Sequence, residues 1–416
     1  MQAEGWRRSD YFATILWGPR RISEPQVYHS YRNHFCETEI LTHKGSLQFM
    51  IKHYGALYGK TYDFAPESFT YSFQSRGILR KHFLAKRPYV WITKPMASSR
   101  GRGIKLTRDI EEFDVYLNER LEEKKARMLN GEEVKEENIA LVLQEYMENP
   151  VLVGGYKFDL RLYVLVTSVH PLKVYLFNEG LARFCTHRYS LEDFNVLRHL
   201  TNTSIQNAHW TKGLIPKETE LEFHNSINPL LGPGDYFKRT LTSLLGFFEK
   251  QGIDVERLWL MIQSVIIKTL LAIAAEPKQT KSNAFELLGF DILLVSKEKN
   301  PQNHGYIIDL NQSNKSPSHF IVPKLLEVNC GPSLGVSCTT DILVKMPLLK
   351  EMLRTITNQE IDTTRKENQF HPIFPFNQIT EIASQNLAKQ KDIQDNIKII
   401  LSECDQLGVE LGPYFP

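Results

Sequence analysis

The stretch Tyr156–Ser168, YKFDLRLYVLVTS, constrains the chain most, because its residue types alternate strictly at its start. In a β-strand residues two apart share a face, so Lys157, Asp159 and Arg161 stand together while Phe158, Leu160 and Leu162 take the other side. Three ionisable groups backed by an apolar face read as the wall of a polar cleft. A solvent-facing edge with cross-strand ion pairs is the alternative.

A second stretch, Tyr89–Leu106, points to an anionic ligand. Tyr89–Thr93 is β-branched and aromatic and reads as a strand that delivers Lys94 at its end. Pro95 then forbids simple continuation of an interior ladder. The small residues up to Gly103 alternate Arg100 and Arg102 with Gly101 and Gly103, before Ile104–Leu106 resumes a strand. A strand-borne lysine can offset phosphate charge, and a glycine loop lets backbone N–H groups approach the oxygens. The spacing differs from that of a P-loop, and no helix start follows the glycines. A surface hairpin with solubilising arginines fits this stretch alone equally well.

Two apolar strands further on carry hard oxygen ligands. Ala284–Val295 presents Asp291 opposite in facing to Phe290 and Ile292, and Lys324–Asn329 presents Glu327 and Asn329 on one face. Two carboxylates and an amide suit Mg²⁺, which takes few protein oxygens and completes its octahedron with water and phosphates. They suit zinc poorly, because no His or Cys stands at ligand spacing beside them. Together with Lys94, its glycine loop and the Lys157/Asp159/Arg161 face, they favour an ATP–magnesium site over scattered surface charge.

The rest of the chain gives coarser expectations. It has 416 residues, 42% hydrophobic, enough for two or three lobes around a sizeable core. A formal net charge of +2 does not call for nucleic acid. Cysteines at 36, 185, 330, 338 and 404 form no C-x-x-C pair, which argues for a reduced, intracellular chain without structural zinc and with buried thiols. Leu258–Ala275 is apolar, but Gln263 and Lys268 interrupt it, so it reads as a buried helix rather than a membrane span. The N-terminus lacks the apolar run of a signal peptide.

Helices are expected near Lys44–Tyr54, over a basic Tyr71–Arg87, over Asp109–Leu121, Phe237–Gln251, Arg257–Glu276 and Met346–Ile356, and near Ala383–Cys404. Ile139–Met147, Val174–Phe177 and Gly180–Phe184 read as strands, the last two as a pair. Tyr306–Leu310 reads as a short strand within a loop. Glu119–Asn138 is a charged helix tip or insertion. Asn207–Tyr236 shows little pattern, and residues 1–75 show no site chemistry.

In order, KPMASSRGRGIKL, LQEYM, GYKFDLRLYVLV, EGLARFCT, HLTNTSIQN, FELLGFDILL and LLEVNCGPSLG resemble the motif series of the tubulin tyrosine ligase-like family. The resemblance covers roughly residues 17–353. It implies an α/β (α+β) ATP-grasp fold with the ATP site between central and C-terminal sheets. It also implies an enzyme that joins an amino acid to a protein carboxylate, with ATP and Mg²⁺ as cofactors. The implied division is an N-terminal lobe over 1–75, a central lobe over 76–145 and a C-terminal lobe over 146–357, followed by a polar helical tail over 358–416.

Carried over to this sequence, Lys94 would hold ATP phosphates under a loop containing Arg100 and Gly101. Gln144, Glu145, Tyr146 and Met147 would lie along adenine. Lys157 and Asp159 would serve the base and ribose side, with Arg161 on the phosphates, and Phe158 would also belong to the ATP site. Thr201 and Asn202 would contact nucleotide, and Asp291, Glu327 and Asn329 would hold magnesium. Arg183 would bind the carboxylate of the incoming amino acid. Thr203, where many relatives carry a donor-binding tyrosine, and Ser204 would stand on the donor side. Arg161, Arg183 and Glu327 would be catalytic. The resemblance further implies glutamate ligation onto the acidic tails of tubulin or microtubules, from free glutamate, without nucleic acid or membrane. It implies a cytoplasmic, cytoskeletal or ciliary location. Glycine ligation, a non-tubulin acceptor and an inactive cytoskeletal binding module are the alternatives.

Overall fold

The computed structural model describes residues 15–18, 30–71, 77, 80–81, 90–96, 101–131, 140–232, 237–278, 283–297, 306–308, 321–357 and 369–407. Two short parallel strands, β1 (Ile15–Leu16) and β2 (Tyr31–Arg32), precede helices α1 (Glu39–Thr42) and α2 (Lys44–Tyr58). Leu47, Met50, Ile51 and Tyr54 recur at helical spacing and are the buried face of α2.

Four antiparallel strands follow: β3 (Ser68–Tyr71), β4 (Trp91–Pro95), β5 (Lys105–Thr107) and β6 (Leu141–Glu145), in the spatial order β3-β6-β4-β5. Helix α3 (Ile110–Leu129) covers one face, packing Ile110, Phe113 and Leu117 with Trp91, Leu141 and Leu143. Asp109 caps it, accepting a hydrogen bond from the Glu111 amide. Its charged last turns extend the helix beyond its buried part, as the sequence suggested. Residues 132–139 of the insertion lie outside the described residues.

The larger sheet comprises β7 (Val151–Val153), β8 (Tyr156–Val169), β9 (Leu172–Phe184), β10 (Lys238–Thr240), β11 (Glu286–Ser296), β12 (Tyr306–Ile308), β13 (Ile321–Cys330) and β14 (Phe370–Phe374). Its main path is β10-β9-β8-β11-β13, antiparallel throughout, while β14 pairs with the start of β9. Helices α4 (Val196–His199), α5 (Thr203–Thr211) and α6 (Lys217–Leu231) separate β9 from β10. Then α7 (Leu241–Lys250) and α8 (Val255–Ala274) lead to β11, and α9 (Thr339–Ile356) follows β13. The chain closes with α10 (Gln378–Ala388) and α11 (Ile393–Gln406). This is a mixed helix–sheet fold whose main sheets are antiparallel.

The alternation on β8 sorts the sheet's two faces. Phe158, Leu160, Leu162 and Val164 join Phe290 and Ile292 of β11 in the core that α8 covers. On the opposite face Lys157, Asp159 and Arg161 give way to Tyr163 and Leu165, which pack with α9 through Val344 and Leu348. Helix α8 is long and apolar enough to cross a bilayer, yet every residue from Ser264 to Ala274 is buried in the fold. Lys268 within it is satisfied by Asp405 at 2.5 Å.

Several local expectations are corrected. The two strands expected over 174–184 are one, β9, with register shifts against β8 rather than a turn. Lys238–Thr240 is a strand before α7, because it pairs with Leu181–Arg183. Tyr71 ends a strand instead of starting a helix; most of 72–89 lies outside the described residues, though Arg80 from that stretch pairs with Asp114 at 2.8 Å. Helix α6 forms where little pattern was visible, on Phe223, Ile227 and Leu231 four residues apart. Pro95 is the last paired residue of β4, a position where a missing N–H is tolerated. Cys185 and Cys404 are buried as expected, but Cys36 is exposed and Cys330 and Cys338 are half-buried.

Candidate active site

The two sheets and the start of α2 line a cavity of about 380 Å³, within the size range of small-molecule sites. Ile92 and Lys94 of β4 and Val142 and Gln144 of β6 form one wall. Lys157 and Asp159 of β8, Asp291 of β11 and Glu327 and Asn329 of β13 form the other. Gly101 and Ile104 border it from the glycine loop, and Thr201 and Asn202 from the turn before α5.

Lys94 donates to Gln144 Oε1 at 2.7 Å from the neighbouring strand. Burial pulls its pKa down and the nearby Lys44 adds to this, while Glu327 and Asp291 act in the opposite direction. Lys94 is therefore within electrostatic reach of both acidic strands.

The base of the cavity is a connected polar network. Lys157 donates to Tyr146 Oη at 2.8 Å and to the His199 carbonyl at 2.9 Å. His199 Nε2 lies 2.8 Å from the Asp193 carbonyl, so the proton sits on Nε2, and Nδ1 accepts from Tyr146 Oη at 2.8 Å. Burial lowers the His199 pKa to about 4, keeping the ring neutral. Burial likewise brings Lys157 down to about 8, with the Cys185 thiol and Asp159 opposing and Lys94 assisting.

Asp159, Arg183, Asp291 and Arg161 form a chain of ion pairs across three strands. Arg183 grips Asp159 with two bonds of 2.8 and 2.6 Å and reaches Asp291 at 2.9 Å. Arg161 grips Asp291 with bonds of 2.5 and 3.0 Å. Burial alone would raise the Asp291 pKa, but the two guanidiniums hold it far below the usual carboxylate range. Thr201 adds a hydroxyl bond to Asp159 at 2.6 Å. Gly289 makes room for this chain: a Cβ there would stand 3.3 Å from Arg161 Cδ and 2.9 Å from Pro332 Cβ.

Glu327 faces Asp291 across the β11–β13 ladder, and Asn329 Nδ2 lies 3.3 Å from Glu327 Oε1 and 3.4 Å from Asp291 Oδ2. Burial, then the Asp291 charge, raises the Glu327 pKa against the pull of Lys94. A half-buried carboxylate pressed against a second one favours a positive guest. Three oxygen-bearing side chains on adjacent strands fit a hard divalent cation such as Mg²⁺, once the Asn329 amide turns its oxygen inward.

The structure thus gathers Lys94, Gly101, Gln144, Glu145, Tyr146, Met147, Lys157, Asp159, Thr201, Asn202, Asp291, Glu327 and Asn329 around one cavity. Arg161 and Arg183 stand behind its wall, holding Asp159 and Asp291. Phe158 does not reach it: the side chain is wholly buried on the other face, against Phe184 and Phe248. Thr203 and Ser204 open α5 and lie outside the lining. Arg100 lies outside the described residues.

Residues 1–75, expected to carry no site chemistry, contribute His43 and Lys44 to the cavity. Lys44 is the first residue of α2, where a cation opposes the helix dipole. That unfavourable placement is a local sign that sequence reasoning passed over. Lys44 has its pKa lowered by burial, with Glu327 acting against the shift.

A sequence model of the tubulin-tyrosine ligase family matches residues 20–368. Human "Probable tubulin polyglutamylase TTLL2" is 31% identical over 334 residues, covering 78% of this chain and 46% of that protein. Mouse "Tubulin polyglutamylase TTLL6" is 31% identical over 358 residues, covering 82% and 36%. Mouse "Tubulin monoglutamylase TTLL4" is 29% identical over 338 residues, covering 78% and 23%. The chain therefore spans less than half the length of these three relatives. With a family match across most of its length, the chain belongs to the tubulin-tyrosine ligase family.

Proposed function

We propose that the protein is an ATP-dependent ligase that adds glutamate to glutamate side chains in the acidic tails of tubulin. The observation that carries this reading is the convergence of Lys94, Lys157, Asp291, Glu327 and Asn329 on one cavity between two antiparallel sheets. That arrangement suits an ATP-grasp enzyme with nucleotide between a central lobe (76–145) and a C-terminal lobe (146–357). The names of the relatives supply the donor and acceptor.

A carboxylate is a poor electrophile at neutral pH, so the acceptor first needs activation. Its oxygen attacks the γ-phosphorus of ATP, ADP leaves, and an acyl phosphate forms. The amine of free glutamate then attacks the acyl carbon, loses a proton and expels phosphate, leaving an isopeptide bond. Asp291, Glu327 and Asn329 would hold Mg²⁺, which when bound neutralises phosphate charge and aligns the leaving group. Lys94 adds positive charge at the phosphates, and Lys157 and Asp159 orient the base and ribose beside Tyr146 and Met147. Arg183, which holds Asp159 and Asp291 behind the wall through Nε and Nη2, would have to release one of them to take a donor carboxylate. The acceptor location implied is the cytoplasm and cytoskeleton, including cilia.

Incubating the protein with ATP, tubulin and either labelled glutamate or labelled glycine tests the proposal. Glutamate incorporation with stoichiometric ADP and phosphate release is expected. Glycine incorporation alone, or no ATP-dependent incorporation, overturns it.

A further inference from the structure

The large sheet carries a second set of donor atoms on the face turned away from the cavity. Glu286 begins β11, and Cys330 ends β13 opposite Leu288, so both side chains project to the same side. His34 arrives from the segment after β2. Glu286 Oε1 lies 2.8 Å from His34 Nδ1 and 3.0 Å from Cys330 Sγ, and the sulfur and the imidazole nitrogen are 3.5 Å apart. We propose that these three atoms form a structural zinc site, separate from the magnesium ligands, with water as the fourth ligand.

The donor set is the first argument. A thiol, an imidazole and a carboxylate are the three ligand types that zinc takes, and Mg²⁺ would not select the sulfur. Geometry is the second. Zinc bonds of about 2.0–2.3 Å in a tetrahedron place ligand atoms roughly 3.3–3.7 Å apart. The observed triangle need open by only a few tenths of an ångström. At present Nδ1 and Sγ approach the same carboxylate oxygen, which a cation would share with them. Binding displaces the Cys330 thiol proton and the His34 Nδ1 proton, and leaves the ring protonated on Nε2 alone. Asn33, whose side-chain nitrogen is 3.1 Å from Nε2, would then turn its amide oxygen to the ring and give up its bond from the Gly18 amide.

The surroundings already orient the carboxylate. Glu286 is wholly buried, and its second oxygen accepts from the Phe35 amide at 3.0 Å and the Thr38 hydroxyl at 2.8 Å. Outer contacts of this kind hold metal ligands in place. His34 and Cys330 are only partly buried, which leaves water access for a fourth ligand. The ion would tie the segment leading into α1 and α2, and hence His43 and Lys44, to the two strands that carry Asp291 and Glu327. Cysteine spacing could not reveal it, because His34 lies 252 residues before Glu286 and Cys330 another 44 beyond it.

The test uses the full chain, stripped with a chelator and titrated with Co²⁺ in excess Mg²⁺. A thiolate-to-cobalt charge-transfer band should saturate near about one equivalent and be displaced by Zn²⁺. Cys330→Ser should abolish the band, His34→Ala should weaken cobalt binding at least about tenfold, and Asp291→Asn should keep the band. Zinc should raise the Tm of the wild type but not that of Cys330→Ser. If Cys330→Ser fails to fold, the wild-type band and its weakening in His34→Ala decide the matter. Absence of the band in the wild type, its survival in Cys330→Ser, or unchanged affinity in His34→Ala overturns the proposal. Because every readout is metal binding, the result is independent of whether the ligase reading holds.

Discussion

Arg161 and Asp291 are directly opposed on neighbouring strands and meet in a two-pronged ion pair, Nε to Oδ1 at 2.5 Å and Nη2 to Oδ2 at 3.0 Å. The same aspartate takes a third contact from Arg183. An acidic side chain in the cavity wall is thus aimed by two arginines set behind it. Arg161→Lys keeps the charge but loses the fork. Apparent Mg²⁺ affinity in the ligation assay is expected to fall about 10–100-fold. Mg²⁺ titration of initial rates measures this.

Glu327→Gln separates chemistry from folding. The Glu327 pKa is raised in the fold, so at neutral pH its charge is disfavoured in the folded state relative to the unfolded one. Removing that charge should leave the Tm of the metal-free protein equal or higher. Turnover should drop by about two orders of magnitude or more, because charge stabilisation at the phosphates is lost. Labelled-glutamate incorporation and a thermal melt, run side by side, check both halves.

Lys157 sets a pH limit. Its folded pKa of about 8 lies below the ordinary lysine value, so its ammonium is fully present below that pH and is lost as pH rises through about 8. The kcat/KM for ATP should therefore decline above about pH 8, since that ratio reports free-enzyme ionisations. Lys157→Met should be low at every pH and show no such inflection. A wild-type profile flat from pH 7 to pH 9 would contradict the assignment.

Gly289→Ala probes the space behind Asp291. The added methyl would stand 2.9 Å from Pro332 Cβ and 3.3 Å from Arg161 Cδ. Overpacking of this kind costs about 1–3 kcal/mol. Denaturant unfolding should show that loss, and turnover should fall as Arg161 is displaced.

Lys44→Ala tests the contribution of α2. Lys44 lines the cavity and lies within electrostatic reach of Glu327. The KM for ATP should rise about tenfold, the loss of roughly 1.4 kcal/mol from one charge contact. The Tm should stay within a few degrees, which melting curves will show.

Much of the site was legible because strands announce which side chains share a face. Lys157, Asp159 and Arg161 alternate with apolar residues, and Glu327 and Asn329 do the same. The sequence gives no comparable signal for which strand lies beside which. β9 was divided in two because Asn178 and Glu179 interrupt its apolar residues; the strand runs on through them, but its pairing with β8 shifts register there, from Gly180 opposite Leu162 to Leu176 opposite Val164. Phe158 was placed among nucleotide contacts by its motif, whereas its parity on β8 already put it in the core. His43 and Lys44 escaped notice because their role depends on where α2 docks.

By itself the sequence determined facing: period-two alternation obliges Asp291 away from Phe290, and Lys157 away from Phe158, whatever surrounds them. Only the tertiary structure decided proximity. Residues 44, 94, 157, 291 and 327 meet because antiparallel register and helix docking bring distant segments to one cavity, and local pattern carries no information about either. The same folding placed His34, Glu286 and Cys330 together on the reverse face of that sheet, where spacing along the chain showed no cluster.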